Sequence, residues 1–292
     1  MDKQEICRRT RRIASDSLCR ALDSSLNIDK PISEAAFRDA WLQEMRKSDT
    51  ILPDGWYSPP PHGMSVLFGT DDYDVNRVNY QSLRPPEKWP KDDIYLNKKN
   101  GLIYLYASPV DLQTGIIGDF GVTLYFGNKP EIKELLAQCL ELDKSIFEYS
   151  KVGMKLSEIA TYADSVMNEK GMSNEIVSST DVTGSNIGHT IPAPMNEWSA
   201  DDKSLFNNAG NDWDAVVNII NHKRTFTNPT ESYDLQAGDA ITIEPRPSVP
   251  TKADLPTSLS YHAIALYKAD SENELLTDFE ELFKLTGMDY ML

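Results

Sequence analysis

The chain is poor in histidine and cysteine and contains no long apolar run. Its 292 residues include only 4 His and 3 Cys. An odd number of cysteines, with no secretory leader pattern at the start, argues against a disulfide framework and predicts a reducing cytoplasmic location. No apolar run approaches the roughly 20 residues that a membrane-spanning helix needs, so we expect no membrane partner.

Positive charge is also scarce. Lys and Arg number 29 against 45 Asp and Glu, which gives a formal net charge of −16. Such an acidic chain repels a phosphate backbone, and no basic stripe with interleaved aromatics offsets the repulsion, so nucleic acid is not an expected partner. The apolar content of 40 % supports a sizeable core and a globular fold.

Hydrophobic periodicity predicts two similar halves. Apolar residues at three- and four-residue spacing predict helices, and aromatic and β-branched runs predict strands. The predicted helices are 4–24, 33–47, 130–150 and 157–170, and the predicted strands are 102–108, 116–126, 240–244 and 261–267. Residues 52–90 are rich in Pro and Gly and predict loops with short strands. A helix pair followed by strands therefore occurs twice, which predicts two α+β halves with a site in the cleft between them.

Three distant segments carry residue types that bind metals. Glu244 ends a short apolar strand just before Pro245, His189 follows Gly188 in a tight bend, and Asp119 lies on the return strand of the predicted hairpin. Asp, His and Glu gathered from separate segments are typical of a metal site. Taken singly, Glu244 could also be a surface carboxylate on an edge strand and Asp119 a turn residue.

In their order, these motifs resemble the pita-bread family of methionine aminopeptidases, prolidases, aminopeptidases P and creatinases. The resemblance rests on Asp119, on Gly188-His189-Thr190-Ile191, and on the segment from Gly238 to Pro245, which contains Thr242-Ile243-Glu244-Pro245. It covers nearly the whole chain. It implies that these segments converge on one site.

The resemblance also implies the domain organisation. It predicts a single α+β domain of pita-bread fold over residues 1–292, without the separate N-terminal domain of the prolidase-like branch. Two pseudo-twofold α+β halves, about 1–128 and 129–292, would surround a curved and mainly antiparallel sheet. Members of the family occur as monomers and dimers, so a homodimer stays open.

The chain departs from the family pattern at two ligand positions. The resemblance places the first of the family's two aspartates at Ser108, eleven residues before Asp119, and its last glutamate at His262. The implied metal ligands are therefore Asp119, His189, Glu244 and His262. Two imidazoles and two carboxylates suit one divalent transition metal, with Fe(II) favoured and Mn(II) or Zn(II) as alternatives. A lone histidine in an apolar strand, as at His262, is otherwise an ordinary core residue.

The family's flanking imidazoles are replaced as well. By the resemblance, Asn196 stands in place of an auxiliary histidine seven residues after His189, and Asn79, next to Tyr80, in place of a cleft histidine. Peptide hydrolysis uses such imidazoles to move protons. The altered set favours a non-peptidase hydrolase or lyase that acts on a small organic substrate, with Asn196, Glu197 and Tyr80 as candidate catalytic groups around the metal.

Three alternatives to that function stay open. Two imidazoles and a carboxylate with open positions are also the ligand set of mononuclear non-haem iron oxygenases. A metallo-aminopeptidase or prolidase-type peptidase is the second alternative, and a metal-free pseudoenzyme that acts as a binding module is the third. Whether Ser108 reaches the metal through a water molecule is likewise open.

Overall fold

The computed structural model describes residues 2–72, 75–174, 181, 183–209, 212–250, 256–269 and 272–292. The helices are α1 (Lys3–Leu26), α2 (Glu34–Met45), α3 (Pro130–Tyr149), α4 (Leu156–Glu169), α5 (Ala200–Ala209), α6 (Trp213–Lys223) and α7 (Glu280–Leu285). The strands are β1 (Met64–Thr70), β2 (Gly101–Ala107), β3 (Phe120–Tyr125), β4 (Ser173–Asn174), β5 (Ala240–Ile243), β6 (Pro247–Ser248), β7 (Ala263–Leu266) and β8 (Glu274–Leu276). Every helix and strand predicted from periodicity is present, with its ends shifted by a few residues.

The strands form antiparallel sheets. One sheet has the order β1-β2-β3, a second has the order β5-β7-β8, and β4 pairs with β6. Leu105 of β2 lies opposite Val66 of β1 and Val122 of β3, and Thr242 of β5 lies opposite Ile264 of β7. The mixed architecture with antiparallel sheets agrees with the predicted α+β class.

An apolar stripe fixes the first helix pair in the core. Ala14 and Leu22 of α1 and Trp41 of α2 are fully buried, and Trp41 Nε1–H donates to Ala14 O at 3.0 Å. Ser33 caps α2, because its hydroxyl accepts from the Ala36 N–H at 3.2 Å. Burial of such stripes, rather than helix propensity, supplies most of a helix's stability in a folded protein.

Strand β3 lies next to the beginning of β7. Gly121 forms an isolated antiparallel bridge with His262, whose N–H donates to Gly121 O at 2.9 Å. A Cβ at Gly121 would lie 2.8 Å from Tyr104 Oη and 3.0 Å from His262 Cβ. Glycine therefore permits the close approach between His262 and β3. The assignment of residues 1–292 to a single domain with halves at 1–128 and 129–292 stays a prediction.

Helices α5 and α6 were not predicted from the sequence. In α5 only Phe206 is buried, so the helix has no apolar stripe to recognise. Helix α6 does carry a local signal, since Asp212 accepts from the Ala215 N–H at 3.2 Å as its N-cap.

Within the described residues, no helix is both long and apolar enough to cross a membrane. The cytoplasmic location stays a prediction.

Candidate metal centre

Four buried side chains from distant parts of the chain meet where β3 lies next to the beginning of β7. Asp119 directly precedes β3, His189 follows the bend at Gly188, Glu244 directly follows β5, and His262 directly precedes β7. Their exposed fractions are 0 %, 2 %, 3 % and 1 % in that order. The structure thus brings together all four predicted metal ligands, and we call Asp119, His189, Glu244 and His262 the polar cluster.

Donor atoms in the polar cluster are neighbours. His189 Nε2 lies 3.6 Å from Asp119 Oδ2 and 3.7 Å from Glu244 Oε1, and His262 Nδ1 lies 3.5 Å from Glu244 Oε2. Two ligands about 2.1 Å from one ion at a tetrahedral angle stand about 3.4 Å apart. The spacing along the cluster is close to that value.

Several of these atoms have no hydrogen-bond partner in the described part of the chain. They are Asp119 Oδ2, Glu244 Oε2 and both ring nitrogens of His262. A buried polar atom left unpaired costs roughly 1–3 kcal/mol. Four such atoms side by side indicate a ligand-binding role rather than core packing.

The polar cluster is nevertheless not a closed metal cage. As placed, no three His, Cys, Asp or Glu side chains of the described ranges enclose a metal ion. The pairwise distances and the unpaired buried atoms nevertheless favour metal binding, because buried polar atoms without partners need a physical reason. The residues fit one divalent ion provided that their side chains draw together on binding.

Backbone geometry presents the correct nitrogen of His189. Its Nδ1 lies 3.1 Å from Thr190 O, so Nδ1 carries the hydrogen and Nε2 is free to bind a metal. Its backbone N–H donates to Thr242 Oγ1 at 2.8 Å. Gly188 has a φ of +148°, and a Cβ there would lie 2.1 Å from Thr242 O. Only glycine allows this bend, which explains the Gly-His motif.

Burial sets the protonation of the polar cluster. It lowers the pKa of His189 to about 3 and lowers the pKa of His262 well below its ordinary range. Burial also raises the pKa of Asp119 to about 8, an effect that the hydrogen bond from Trp56 opposes and the charge of Glu244 increases. Neutral imidazoles are the metal-binding form, whereas Asp119 must lose a proton to bind.

Two contacts of the polar cluster, with Trp56 and with Arg246, were not predicted from the sequence. Trp56 Nε1–H donates to Asp119 Oδ1 at 2.7 Å, and Arg246 Nη1 lies 3.8 Å from Glu244 Oε2. Arg246 stands two positions after Glu244, so its proximity could have been inferred. Trp56 lies 63 positions from Asp119, and no spacing rule connects them.

Ser108 faces the loop before β1. Its hydroxyl donates to Gly63 O at 2.9 Å and accepts from the Tyr57 N–H at 2.9 Å. The position that the resemblance assigned to a lost aspartate therefore holds the loop in place.

Tyr80 packs near the polar cluster. Its ring centre is 6.1 Å from that of Tyr106, which in turn is 5.9 Å from that of His262. The guanidinium of Arg246 lies 5.3 Å above the Tyr80 ring. Burial, reinforced by the charge of Glu244, raises the pKa of Tyr80 well above its ordinary value, so its hydroxyl keeps its proton.

Asn196 and Glu197 lie on the surface. Both are exposed on a short 3-10 turn, and Asn196 lines a surface cavity together with Arg9 and Asp111. Neither makes a hydrogen bond or ion pair to the polar cluster within the residues that the structure covers. Their catalytic roles stay predictions.

Comparison with known proteins gives one family match. Residues 6–257 match the family model of metallopeptidase family M24. No curated protein sequence gives a significant match.

Solved structures share the fold. The X-Pro aminopeptidase from Thermotoga maritima has a TM-score of 0.60 and 14 % identity, over 95 % of this chain and 62 % of that one. The prolidase from Pyrococcus furiosus has a TM-score of 0.58 and 14 % identity, over 92 % and 63 %. The methionine aminopeptidase from Thermotoga maritima has a TM-score of 0.56 and 14 % identity, over 92 % and 96 %. The chain thus spans about three fifths of the first two structures. At such identities the likeness concerns the fold alone, and the predicted pita-bread fold is confirmed.

Proposed function

Because the chain belongs to metallopeptidase family M24, we propose that it is a metal-dependent hydrolase that cleaves an amide bond in a short peptide. The observation that carries this proposal is the set of unpaired buried atoms of Asp119, Glu244 and His262, counted over the described residues. The replaced flanking imidazoles had favoured a non-peptidase hydrolase or lyase. Family membership supports the peptidase alternative better, and it lends no support to lyase or oxygenase chemistry.

One divalent transition metal ion would be held by the polar cluster. Two imidazoles and two carboxylates favour Fe(II), with Mn(II) and Zn(II) as alternatives. When bound, the ion supplies a Lewis acid that polarises a carbonyl group and makes water a better nucleophile. The two carboxylates of the cluster, Asp119 and Glu244, would balance the charge of the ion in a site that is closed to bulk water.

The protein's own groups orient the polar cluster for this role. Thr242 Oγ1 accepts from the His189 N–H and donates to Glu244 Oε1 at 3.2 Å, so one hydroxyl links two of the proposed ligands. Tyr80 keeps its proton and is the best placed of the three predicted catalytic residues to donate a hydrogen bond to a substrate beside the cluster. A small-molecule or short-peptide substrate suits a site this deeply buried.

The direct test is hydrolysis of short peptides by metal-loaded protein. We would load the protein with Mn(II), with Zn(II) or, under anaerobic conditions, with Fe(II). Each form would be incubated with a panel of di- and tripeptides, with and without proline after the first residue, and the released amine measured. Hydrolysis that disappears with a chelator and in Glu244→Gln is expected. A Glu231→Gln variant, which changes a carboxylate outside the cluster, should retain activity. Metal-loaded protein that cleaves none of the peptides would contradict the proposed activity.

The metal-free binding module is the second candidate. It is favoured by the absence of a closed three-ligand group in the described ranges and by Arg246, whose guanidinium already lies beside Glu244. A guanidinium can compensate a buried carboxylate without any metal. This candidate predicts that neither Fe(II), Mn(II) nor Zn(II) binds the protein stoichiometrically.

A further inference from the structure

Arg84 is a half-buried cation without a counter-charge. Its guanidinium forms one hydrogen bond, from Nη2 to Tyr57 Oη, and its buried Nε has no hydrogen-bond partner among the described residues. Arg77 shows the usual arrangement, since both of its Nη atoms donate to the carboxylate of Glu34. In the described part of the chain, no carboxylate pairs with Arg84 in this way. A cation withdrawn from water normally has such a partner, so its absence needs a physical reason.

Tyr57 adds a second donor beside Arg84. Its hydroxyl oxygen accepts from Arg84, and the hydroxyl hydrogen has no acceptor among the residues that the structure covers. The backbone N–H of Tyr57 donates to Ser108 Oγ at 2.9 Å, and the guanidinium lies 5.6 Å from the Tyr57 ring centre. The pair therefore offers N–H and O–H donors and no charged acceptor, which is the arrangement that binds an anion.

Aromatic contacts connect this pair with the polar cluster. The ring centre of Tyr57 is 6.4 Å from that of Tyr80, and the two rings are stacked. The guanidinium of Arg246 lies 5.3 Å above the Tyr80 ring and 3.8 Å from Glu244 Oε2. Burial lowers the pKa of Arg84, but Tyr57, Tyr80 and Glu244 raise it by more, so Arg84 stays charged. An anion held by Arg84 would thus be separated from Glu244 by these tyrosine rings.

A carboxylate is the anion that suits this position in a peptide-cleaving enzyme. The planar guanidinium matches the two oxygens of a carboxylate, and a short peptide carries one at its C-terminus or on an acidic side chain. The net charge of −16 repels an anionic substrate at long range. Recognition of such a substrate therefore requires a local cation, and Arg84 supplies it beside the aromatic rings.

We propose that Arg84 determines substrate specificity by binding a carboxylate of the substrate, with the Tyr57 hydroxyl as a second donor. This inference rests on the proposed function, which supplies the short peptide as the substrate. It adds two residues that neither the family match nor the proposed metal ligands identify. It also predicts that peptides without a carboxylate are poor ligands.

The test is peptide binding to the metal-free protein, in which no hydrolysis is expected. Calorimetric titration would compare three peptides. Alanylalanine has a C-terminal carboxylate, alanylisoglutamine has its only carboxylate on a side chain, and alanylalaninamide has none. At least one of the first two should bind the wild type about 100-fold more tightly than the amide. The tighter of the two identifies which carboxylate Arg84 binds.

The variant Arg84→Gln should lose this preference, because it removes the charge and the planar set of donors. Arg20→Gln is the matched control, since Arg20 is exposed and its Nε donates to Glu44 Oε2 at 3.0 Å. That control should keep the preference of the wild type. Tyr57→Phe covers the case in which Arg84→Gln does not fold, because it keeps the ring and removes only the hydroxyl. It should lower the preference about tenfold.

Three results would overturn the inference. They are equal affinity of the wild type for all three peptides, absence of binding by any of them, and a preference that is unchanged in Arg84→Gln or, if that variant does not fold, in Tyr57→Phe. The proposed function is tested separately with Mn(II)-loaded protein. If that protein does not cleave the peptide that the metal-free protein prefers, the proposed function fails while the carboxylate site stands.

Discussion

Two buried glutamates, Glu34 and Glu244, are used in opposite ways. Glu34 is fully buried, and both of its oxygens are satisfied. Oε1 accepts from the Phe68 N–H at 2.5 Å and from Arg77, and Oε2 accepts from Arg77 Nη2 at 2.8 Å and from the Lys91 N–H at 2.9 Å. It ties helix α2 to strand β1 and to the loop that follows.

Glu244 is almost as deeply buried, yet one of its oxygens, Oε2, has no hydrogen-bond partner among the described residues. Its Oε2 lies 3.5 Å from His262 Nδ1 and 3.8 Å from Arg246 Nη1, beyond ordinary hydrogen-bond lengths. Glu34 accepts from four donors, whereas Glu244 Oε2 has no hydrogen-bond donor among the described residues, and the imidazoles near Glu244 are neutral. Buried polar groups are normally hydrogen-bonded. Such a contrast is expected between a structural carboxylate and one that binds a ligand, which is the role we propose for Glu244.

Substitution of the two glutamates should have unequal effects on stability. Glu34→Gln leaves Arg77 buried without its counter-charge, so the free energy of unfolding should fall by about 3–5 kcal/mol. In metal-free protein, Glu244→Gln keeps an oxygen that can accept from Thr242, and Arg246 keeps its hydrogen bonds to Glu244 O and Asn186 Oδ1, so the free energy of unfolding should change by about 1 kcal/mol or less. Urea denaturation of both variants would check this. Equal losses would mean that Glu244 is a structural carboxylate like Glu34.

Metal binding should stabilise the wild type and fail to stabilise variants of the polar cluster. At a free metal concentration about 100 times Kd, binding adds about 2.7 kcal/mol to the free energy of unfolding. Thermal denaturation with and without a chelator should show this gain in the wild type and its loss in His262→Gln. His222→Gln is the control, because that histidine lies at the end of α6, outside the cluster. A gain that persists in His262→Gln would remove His262 from the ligand set.

Metal affinity should increase with pH up to about pH 8. Burial raises the pKa of Asp119 to about 8, so the metal-free protein holds a proton there at lower pH, and binding has to release it. Affinity should therefore rise by up to about tenfold per pH unit below that pKa and level off above it. Calorimetry in buffers of different ionisation enthalpy would count the released protons. If the Asp119→Asn variant releases as many protons on metal binding as the wild type, the proton comes from another group.

The smallest expected effect is that of Thr242→Val. Loss of the hydroxyl frees the His189 N–H and Glu244 Oε1 but keeps the side-chain shape, so metal affinity should fall by about tenfold. Thr286→Val is the matched control, since the buried Thr286 hydroxyl donates to Leu282 O at 2.8 Å, remote from the cluster. Similar affinities in the two variants would show that Thr242 does not orient the ligands.

Two of the four proposed ligand positions, His189 and Glu244, have a local physical signature in the sequence, whereas Asp119 and His262 were located by the family resemblance. A glycine of positive φ must precede His189, and Glu244 lies between a buried strand and a proline, whose missing N–H ends the strand pairing. The helix pairs and the hairpin strands could also be predicted, because their apolar residues recur with the spacing of a helix or a strand.

Other features depend on tertiary packing that no local pattern records. Trp56 reaches Asp119 from a loop whose course depends on Gly63 and the surrounding prolines. The seven-residue spacing from His189 to Asn196 carried no structural information, because Pro192 and Pro194 interrupt the extended chain, which then turns to the surface. Spacing locates a side chain only where a regular helix or strand fixes its direction.

The most direct test of the central claim is elemental analysis of protein purified without chelator and then reconstituted anaerobically with Fe(II). We predict about one equivalent of transition metal per chain in the wild type and almost none in Glu244→Gln and His262→Ala. Glu231→Gln should match the wild type. Absence of metal from the reconstituted wild type, or equal metal in all four proteins, would contradict a metal centre at the polar cluster.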